Sequence, residues 1–152
     1  MSPSMAKYRY PYQKIVDLKS SEKTQAEWLL AAAIGRLEQE ERTLARLQEE
    51  LAAWHVRMLN EAEAGASLAE LQMMQSYVEY LNAAIRKQQE NVRHAFAEKE
   101  RRREALADRM IDEKVWLKAK ERSFHDFRLA QQRAEQNELD EIASVRFVFT
   151  AN

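Results

Sequence analysis

The sequence contains almost no residue that forces a helix to end. Both prolines, Pro3 and Pro11, precede Tyr12, and Gly35 and Gly65 are the two glycines among 152 residues. Because proline and glycine are the residues least compatible with a helix interior, the chain can remain helical from Tyr12 onward except at a glycine. Charged residues make up 32% of the chain and alanine is abundant, a composition typical of long helices and coiled coils. We therefore expect an all-α protein.

The one break in the apolar pattern predicts a chain reversal. Gly65 can supply a left-handed helix cap, and the Ser67-x-x-Glu70 sequence that follows is a capping box for a new helix. The sequence thus predicts helix one at about 11–63, a turn at about 64–67, and helix two at about 68–145 with a short C-terminal tail. So short a connection joins antiparallel neighbours. We expect a long antiparallel two-helix coiled-coil hairpin, one rod-like domain over 1–152, whose second helix is the longer.

Steps of three and four between apolar residues define the seam along which the two helices should meet. Trp28, Trp54 and Trp116 lie on or beside this seam, and we expect them to pack between the helices. The seam positions predicted for helix one are Ile15, Leu18, Leu29 or Leu30, Ile34, Leu37, Leu44, Leu47, Leu51, Trp54 and Met58, and those for helix two are Leu71, Met74, Val78, Leu81 and Ile85.

The second predicted helix is longer than the first, so about 20 to 25 of its last residues have no partner in the hairpin. This overhang still carries apolar side chains. Three partners that could bury these apolar side chains are compatible with the sequence: the N-terminal aromatic-basic patch 7–10, a second copy of the chain, or another protein. The side chains that need covering are Phe124, Phe127, Leu129, Leu139 and Ile142.

Several classes of function have no support in the sequence. There is no cysteine, no glycine-rich phosphate loop and no Glu-x-x-His motif of the kind found in di-iron bundles, so we expect neither an enzyme nor a metal site or other cofactor. The net charge of −1 and the three glutamates that flank Arg101–Arg103 argue against nucleic-acid binding. No stretch suits a signal peptide or a membrane helix, and we expect a cytoplasmic protein without direct membrane insertion.

Three blocks of sequence, in this order and spacing, resemble the flagellar export protein FliJ family. The first is YRYPYQKIVDLKSSEKTQA at 8–26, the second GASLAELQMMQSYVEYLNAAI at 65–85, and the third LDEIASVRF at 139–147. The resemblance implies a non-enzymatic stalk of the flagellar type III export apparatus, peripherally associated with the inner face of the cell membrane at the flagellar base. It implies the hexameric export ATPase, the cytoplasmic domain of the export gate and export chaperones as partners.

The resemblance also implies two contact surfaces. The export-gate face consists of Tyr77, Leu81, Ala84 and Gln88, where Gln88 stands at a position that is histidine in some members of the family. Tyr77, Ala84 and Gln88 are expected to lie beside the seam, with Leu81 at its border. The end that contacts the ATPase ring is expected to contain Tyr8, Tyr10, Leu18, Phe124, Phe127, Leu139, Asp140, Glu141 and Ile142.

Two other functions remain compatible with the same sequence. One is the equivalent stalk of a virulence type III secretion system, which shares the architecture. The other is a generic coiled-coil scaffold or homodimeric tether in which the apolar overhang pairs with a second copy.

Overall fold

The protein is an antiparallel two-helix coiled-coil hairpin in which the second helix is the longer, as the sequence predicts. The computed structural model describes residues 8–151, with side chains to Thr150, so Lys7 of the aromatic-basic patch lies outside the described residues. Helix α1 spans Gln13–Glu63 and helix α2 spans Leu68–Ala151. The sequence predicted a C-terminal tail after about 145, but α2 continues to Ala151 because no residue there interrupts it.

The turn between the helices contains the left-handed glycine and the capping box that its sequence predicts. Gly65 has φ of +87°, a left-handed conformation in which a side chain would be strained. The Ala66 amide donates to the Glu61 carbonyl over 2.9 Å, which caps the end of α1. The Glu70 amide donates to the Ser67 hydroxyl over 3.2 Å, and the Ser67 amide donates to the Glu70 carboxylate over 3.3 Å. Both bonds of the predicted capping box are therefore confirmed.

At the start of α1, Pro11 and Tyr12 form a turn, and the helix begins two residues later than the sequence indicated. The Gln13 amide donates to the Tyr10 carbonyl over 3.1 Å. The helix start therefore lies directly beside the N-terminal tyrosines.

The central unit of the chain, Gln25–Ala107, has a narrow core of aliphatic side chains. Val78, Leu81 and Ile85 of α2 are buried, as predicted for the seam. From α1 the buried residues are Ala26, Ala33 and Leu37, while the predicted seam residue Ile34 is exposed. Ala33 and Leu37 lie four residues apart on one side of α1, and Ile34 is exposed because it lies about 100° around the helix from Ala33.

Trp28 does not pack between the helices, so the prediction for this residue is wrong. Its side chain is 74% exposed, whereas Trp54 and Trp116 are both partly buried against tyrosines. The periodicity of α1 places Trp28 on the side opposite Ala26, about 200° around the helix.

The terminal unit, of which the structure describes 8–24 and 108–151, has ion pairs between its two helical segments. Lys19 pairs with Asp112 over 2.9 Å, Lys23 with Glu113 over 2.9 Å, and Arg109 with Glu22 over 2.8 Å. The hydrogen bond from Lys23 is the main cause that lowers the pKa of the Glu113 carboxyl. In this unit Val16 is buried, whereas the predicted seam residue Leu18 is exposed.

The last part of α2 has no cover from the rest of the described chain. Every residue from 132 to 150 is exposed, including several large apolar side chains. Neither described helix combines the length and the apolar character that crossing a bilayer requires.

The two glycines should respond in opposite directions to replacement by alanine. Gly65→Ala is expected to lower the free energy of unfolding by about 1 to 2 kcal/mol, because alanine is strained at positive φ. Gly35→Ala is expected to raise it by about 0.5 to 1 kcal/mol, because Gly35 is inside α1 and an added methyl group meets no atom within 4 Å. Urea unfolding followed by circular dichroism measures both changes, and equal signs would contradict the assigned roles.

Candidate functional site

The four residues predicted to form the export-gate face do not form one exposed patch. Leu81 is only 1% exposed and Gln88 only 7% exposed, while Tyr77 and Ala84 are half-buried. The placement of Gln88 beside the seam is therefore wrong. A polar residue that interrupts an apolar stripe is normally expected to face solvent. Gln88 is buried instead, because it has a polar partner on the facing helix.

That partner is Glu40 of α1. The Gln88 side-chain amide donates to the Glu40 backbone carbonyl over 2.9 Å and also to the Glu40 carboxylate. The Asn91 side-chain amide donates to the Gln88 side-chain oxygen over 3.1 Å, so both the nitrogen and the oxygen of the buried Gln88 amide are hydrogen-bonded. Because a buried amide is costly without such partners, this contact favours one alignment of the two helices over others.

Tyr77 is held in place by α1. Its ring packs on Trp54 with 4.7 Å between ring centroids, and its hydroxyl donates to the Glu50 carboxylate. That hydrogen bond is the main cause that raises the pKa of Tyr77. On its other side the ring stacks on the exposed Tyr80 at 5.9 Å. Tyr77 therefore presents only part of its ring to a partner.

A groove of about 590 Å³ opens beside Tyr77, near the turn. The guanidinium of Arg57 lies 4.8 Å from the centre of the Trp54 ring, and Arg57 forms part of the wall of the groove. Sequence periodicity indicated that Trp54 is a packing residue and did not reveal its second role in lining a surface. The residues of the groove are Trp54, Arg57, Glu61, Ala66, Glu70, Met73, Met74 and Tyr77.

The predicted ATPase-contacting end contains an aromatic cluster. The Tyr8 ring lies 5.1 Å from that of Phe124 and 5.0 Å from that of Phe127, and its hydroxyl donates to the Ser123 hydroxyl over 2.9 Å. Of the three covers considered for the two phenylalanines, the structure thus provides an N-terminal tyrosine. Tyr10 lies 5.7 Å from Tyr12, and Tyr12 lies 6.2 Å from Trp116.

The remaining residues predicted for this end are exposed. Leu139 is 60% exposed and Ile142 is 47% exposed, and Leu18 likewise faces solvent. Asp140 accepts a hydrogen bond from Gln136, its neighbour one turn away, and Glu141 is exposed. These side chains are available to a partner without any rearrangement.

Loss of the buried amide should destabilise the hairpin. Gln88→Ala is expected to lower the free energy of unfolding by about 1 to 2 kcal/mol, because the bonds to Glu40 are lost and Asn91 loses its acceptor. Gln89→Ala is the matched control, since Gln89 is exposed and its removal should change that free energy by less than about 0.5 kcal/mol. Equal effects of the two changes in urea unfolding would show that the Gln88 contact does not stabilise the fold.

Known proteins resemble this chain over nearly its full length. The family model described as Flagellar FliJ protein matches residues 8–149. The Flagellar FliJ protein of Bacillus subtilis (strain 168) is 26% identical over 144 residues, which cover 93% of this chain and 96% of that relative. Among solved structures, a putative YscO homolog, CT670 from Chlamydia trachomatis, has a TM-score of 0.67 at 22% identity, and the match covers 91% of this chain and 94% of the other.

The solved structure supports the helical hairpin fold, and the family match extends from the N-terminal tyrosines to the exposed end of α2. The chain therefore belongs to the flagellar FliJ protein family, a coiled-coil component of the type III export apparatus.

Proposed function

We propose that this chain is a non-enzymatic component that links the flagellar export ATPase ring to the export gate and assists the export of flagellar proteins. It would act in the cytoplasm, associated with the inner face of the membrane at the flagellar base. Export chaperones are a further class of partner. The observation that carries the proposal is the family match over residues 8–149, which includes both ends of the hairpin.

The terminal unit is the part that we assign to the ATPase ring. It combines a covered aromatic cluster around Tyr8 with an uncovered apolar segment that includes Leu139 and Ile142. Exposed apolar side chains that continue a packed surface are characteristic of protein-binding sites. The exposed carboxylates Asp140 and Glu141 lie on other sides of the same helical turn, so polar contacts from this segment would come from a different side than the apolar ones.

The gate contact is assigned to the accessible part of the predicted gate face together with the groove beside it. Leu81 and Gln88 hold the two helices together and cannot be reached while the hairpin is closed. Tyr77 and Ala84 are partly accessible, and Trp54 extends the same surface onto α1. Aromatic residues at the centre of an interface often contribute most of its binding energy. We therefore propose Tyr77 and Trp54 as the main anchors for the gate domain.

The gate assignment predicts a local effect of removing one aromatic ring. Trp54→Ala is expected to weaken binding of the cytoplasmic domain of the gate by about tenfold or more, since it removes an anchor and the ring that supports Tyr77. Trp28→Ala is the matched control, because Trp28 is an exposed tryptophan of the same unit outside the groove. Isothermal titration with the purified gate domain measures both affinities, and unchanged binding by Trp54→Ala would remove the groove from the gate surface.

The ATPase assignment predicts that the exposed end of α2 is needed for ring binding but not for folding. The double change Leu139→Ser and Ile142→Ser is expected to weaken pull-down of the export ATPase by about tenfold, while the thermal midpoint of the hairpin changes little. Val56→Ser and Leu59→Ser give a matched control, because both residues are exposed in the central unit. Retained ATPase binding by the α2 variant, with the ATPase bound normally by the control, would contradict this assignment.

The double variant Leu139→Ser and Ile142→Ser also distinguishes a monomeric stalk from a homodimeric tether. If the exposed end of α2 served self-association, sedimentation of the unaltered chain would give a concentration-dependent dimer that the Leu139→Ser and Ile142→Ser changes abolish. The cover that Tyr8 gives to Phe124 and Phe127 leaves less apolar surface for a second copy than the sequence alone suggested.

A further inference from the structure

Helix α2 carries a row of exposed basic side chains in the terminal unit. Lys114, Lys118 and Arg122 follow one another at intervals of four residues, which places them on one side of the helix. Arg128 extends the row, with its guanidinium 6.0 Å from the centre of the Phe124 ring. We call Lys114, Lys118, Arg122 and Arg128 the basic face.

The cations of the basic face have no acidic partner within the part of the chain that the structure describes, unlike the arginines near residue 100. Around residue 100, three consecutive arginines are flanked by glutamates and form ion pairs with them: Arg101 and Arg102 both pair with Glu98, over 2.5 and 2.8 Å. Lys114, Lys118 and Arg122, in contrast, form no ion pair or hydrogen bond with any side chain between residues 8 and 150.

The spacing within the basic face is unfavourable for the helix itself. Like charges four residues apart lie next to each other and destabilise an isolated helix by about 0.2 to 0.5 kcal/mol per pair. The row contains two such pairs, Lys114 with Lys118 and Lys118 with Arg122. Glu121 and Asp126, which follow Lys118 by three and Arg122 by four residues, offset part of this repulsion. Between 114 and 128 there are five lysines and arginines against two acids, Glu121 and Asp126, a local net charge of +3. An external anionic surface would relieve this repulsion.

Apolar residues beside the basic face indicate which kind of anionic surface fits. Ile111 and Val115 are exposed and precede Lys118 on the same side of α2, and Leu129 follows beyond Arg122. Helices that lie in a membrane surface present a continuous apolar face, but here cations occupy the middle of the row. A nucleic-acid backbone would bind the lysines and arginines through its phosphates and would leave the apolar side chains without a contact. A protein surface with carboxylates flanked by apolar groups uses both kinds of side chain.

We propose that the basic face binds a carboxylate-rich surface of the export ATPase. This inference rests on the proposed function, in which the terminal unit contacts the ring, and adds a second, electrostatic contact to the apolar one at Leu139 and Ile142. Complementary charge speeds association and fixes the orientation of the partners. The apolar end segment then supplies burial, while the basic face orients the terminal unit on the ATPase.

The test compares charge reversal on the basic face with the same charge change elsewhere. Lys118→Glu with Arg122→Glu is expected to weaken binding of the full-length chain to the purified ATPase about tenfold at low salt and to flatten its salt dependence. Arg101→Glu with Arg103→Glu changes the net charge equally at exposed positions of the central unit and should leave the affinity unchanged. Circular dichroism checks that both variants fold.

The outcomes separate this inference from the proposed function. If the unaltered chain does not bind the ATPase at all, the proposed function fails and this inference with it. If the unaltered chain binds and the Lys118/Arg122 variant binds equally well with the same salt dependence, only this inference is overturned. It is also overturned if both double variants weaken binding equally, or if the basic face binds phosphatidylserine vesicles or a 20-base-pair DNA duplex more tightly than the ATPase.

Discussion

The reversal at Gly65 determines which residues of the two helices can meet. With one left-handed residue and a capping box directly after it, the chain turns within four residues, and the register of the facing helices follows from counting outward. Trp54 and Tyr77 lie at nearly equal distances from this point, and so do Glu40 and Gln88. Since a slip by one turn would separate both pairs, the partner surfaces of the central unit depend on the geometry of a single short turn.

The two helices and the turn between them were predictable because the residues that specify them are close together in the sequence. The scarcity of breakers, the glycine cap and the Ser67-x-x-Glu70 pattern each depend on a few adjacent residues, and the apolar steps of α2 identified Val78, Leu81 and Ile85 correctly. The predictions failed where contacts with the facing helix determine which side chains are buried. Periodicity defines a side of a helix only to within about one residue position, so Ile34 and the buried alanines of α1 were not separable by sequence.

Polar and aromatic residues were the hardest to place, for opposite reasons. Gln88 is polar and yet buried, because Glu40 provides both a carbonyl and a carboxylate at the matching height on α1. Trp28 is aromatic and yet exposed, because its side of α1 faces away from α2. For the gate face implied by the family resemblance, burial shows that only Tyr77 and Ala84 of its four residues can be reached by a partner.

The contact of Tyr8 with Phe124 and Phe127 has a consequence for any protein that uses those two rings. Such a protein competes with a segment of the same chain, which is present at a fixed and high local concentration. The observed affinity is the intrinsic affinity multiplied by the fraction of molecules in which Tyr8 is undocked. For such a protein the N-terminal tyrosine would be an internal competitor, because Tyr8 must leave Phe124 and Phe127 before both rings can be contacted.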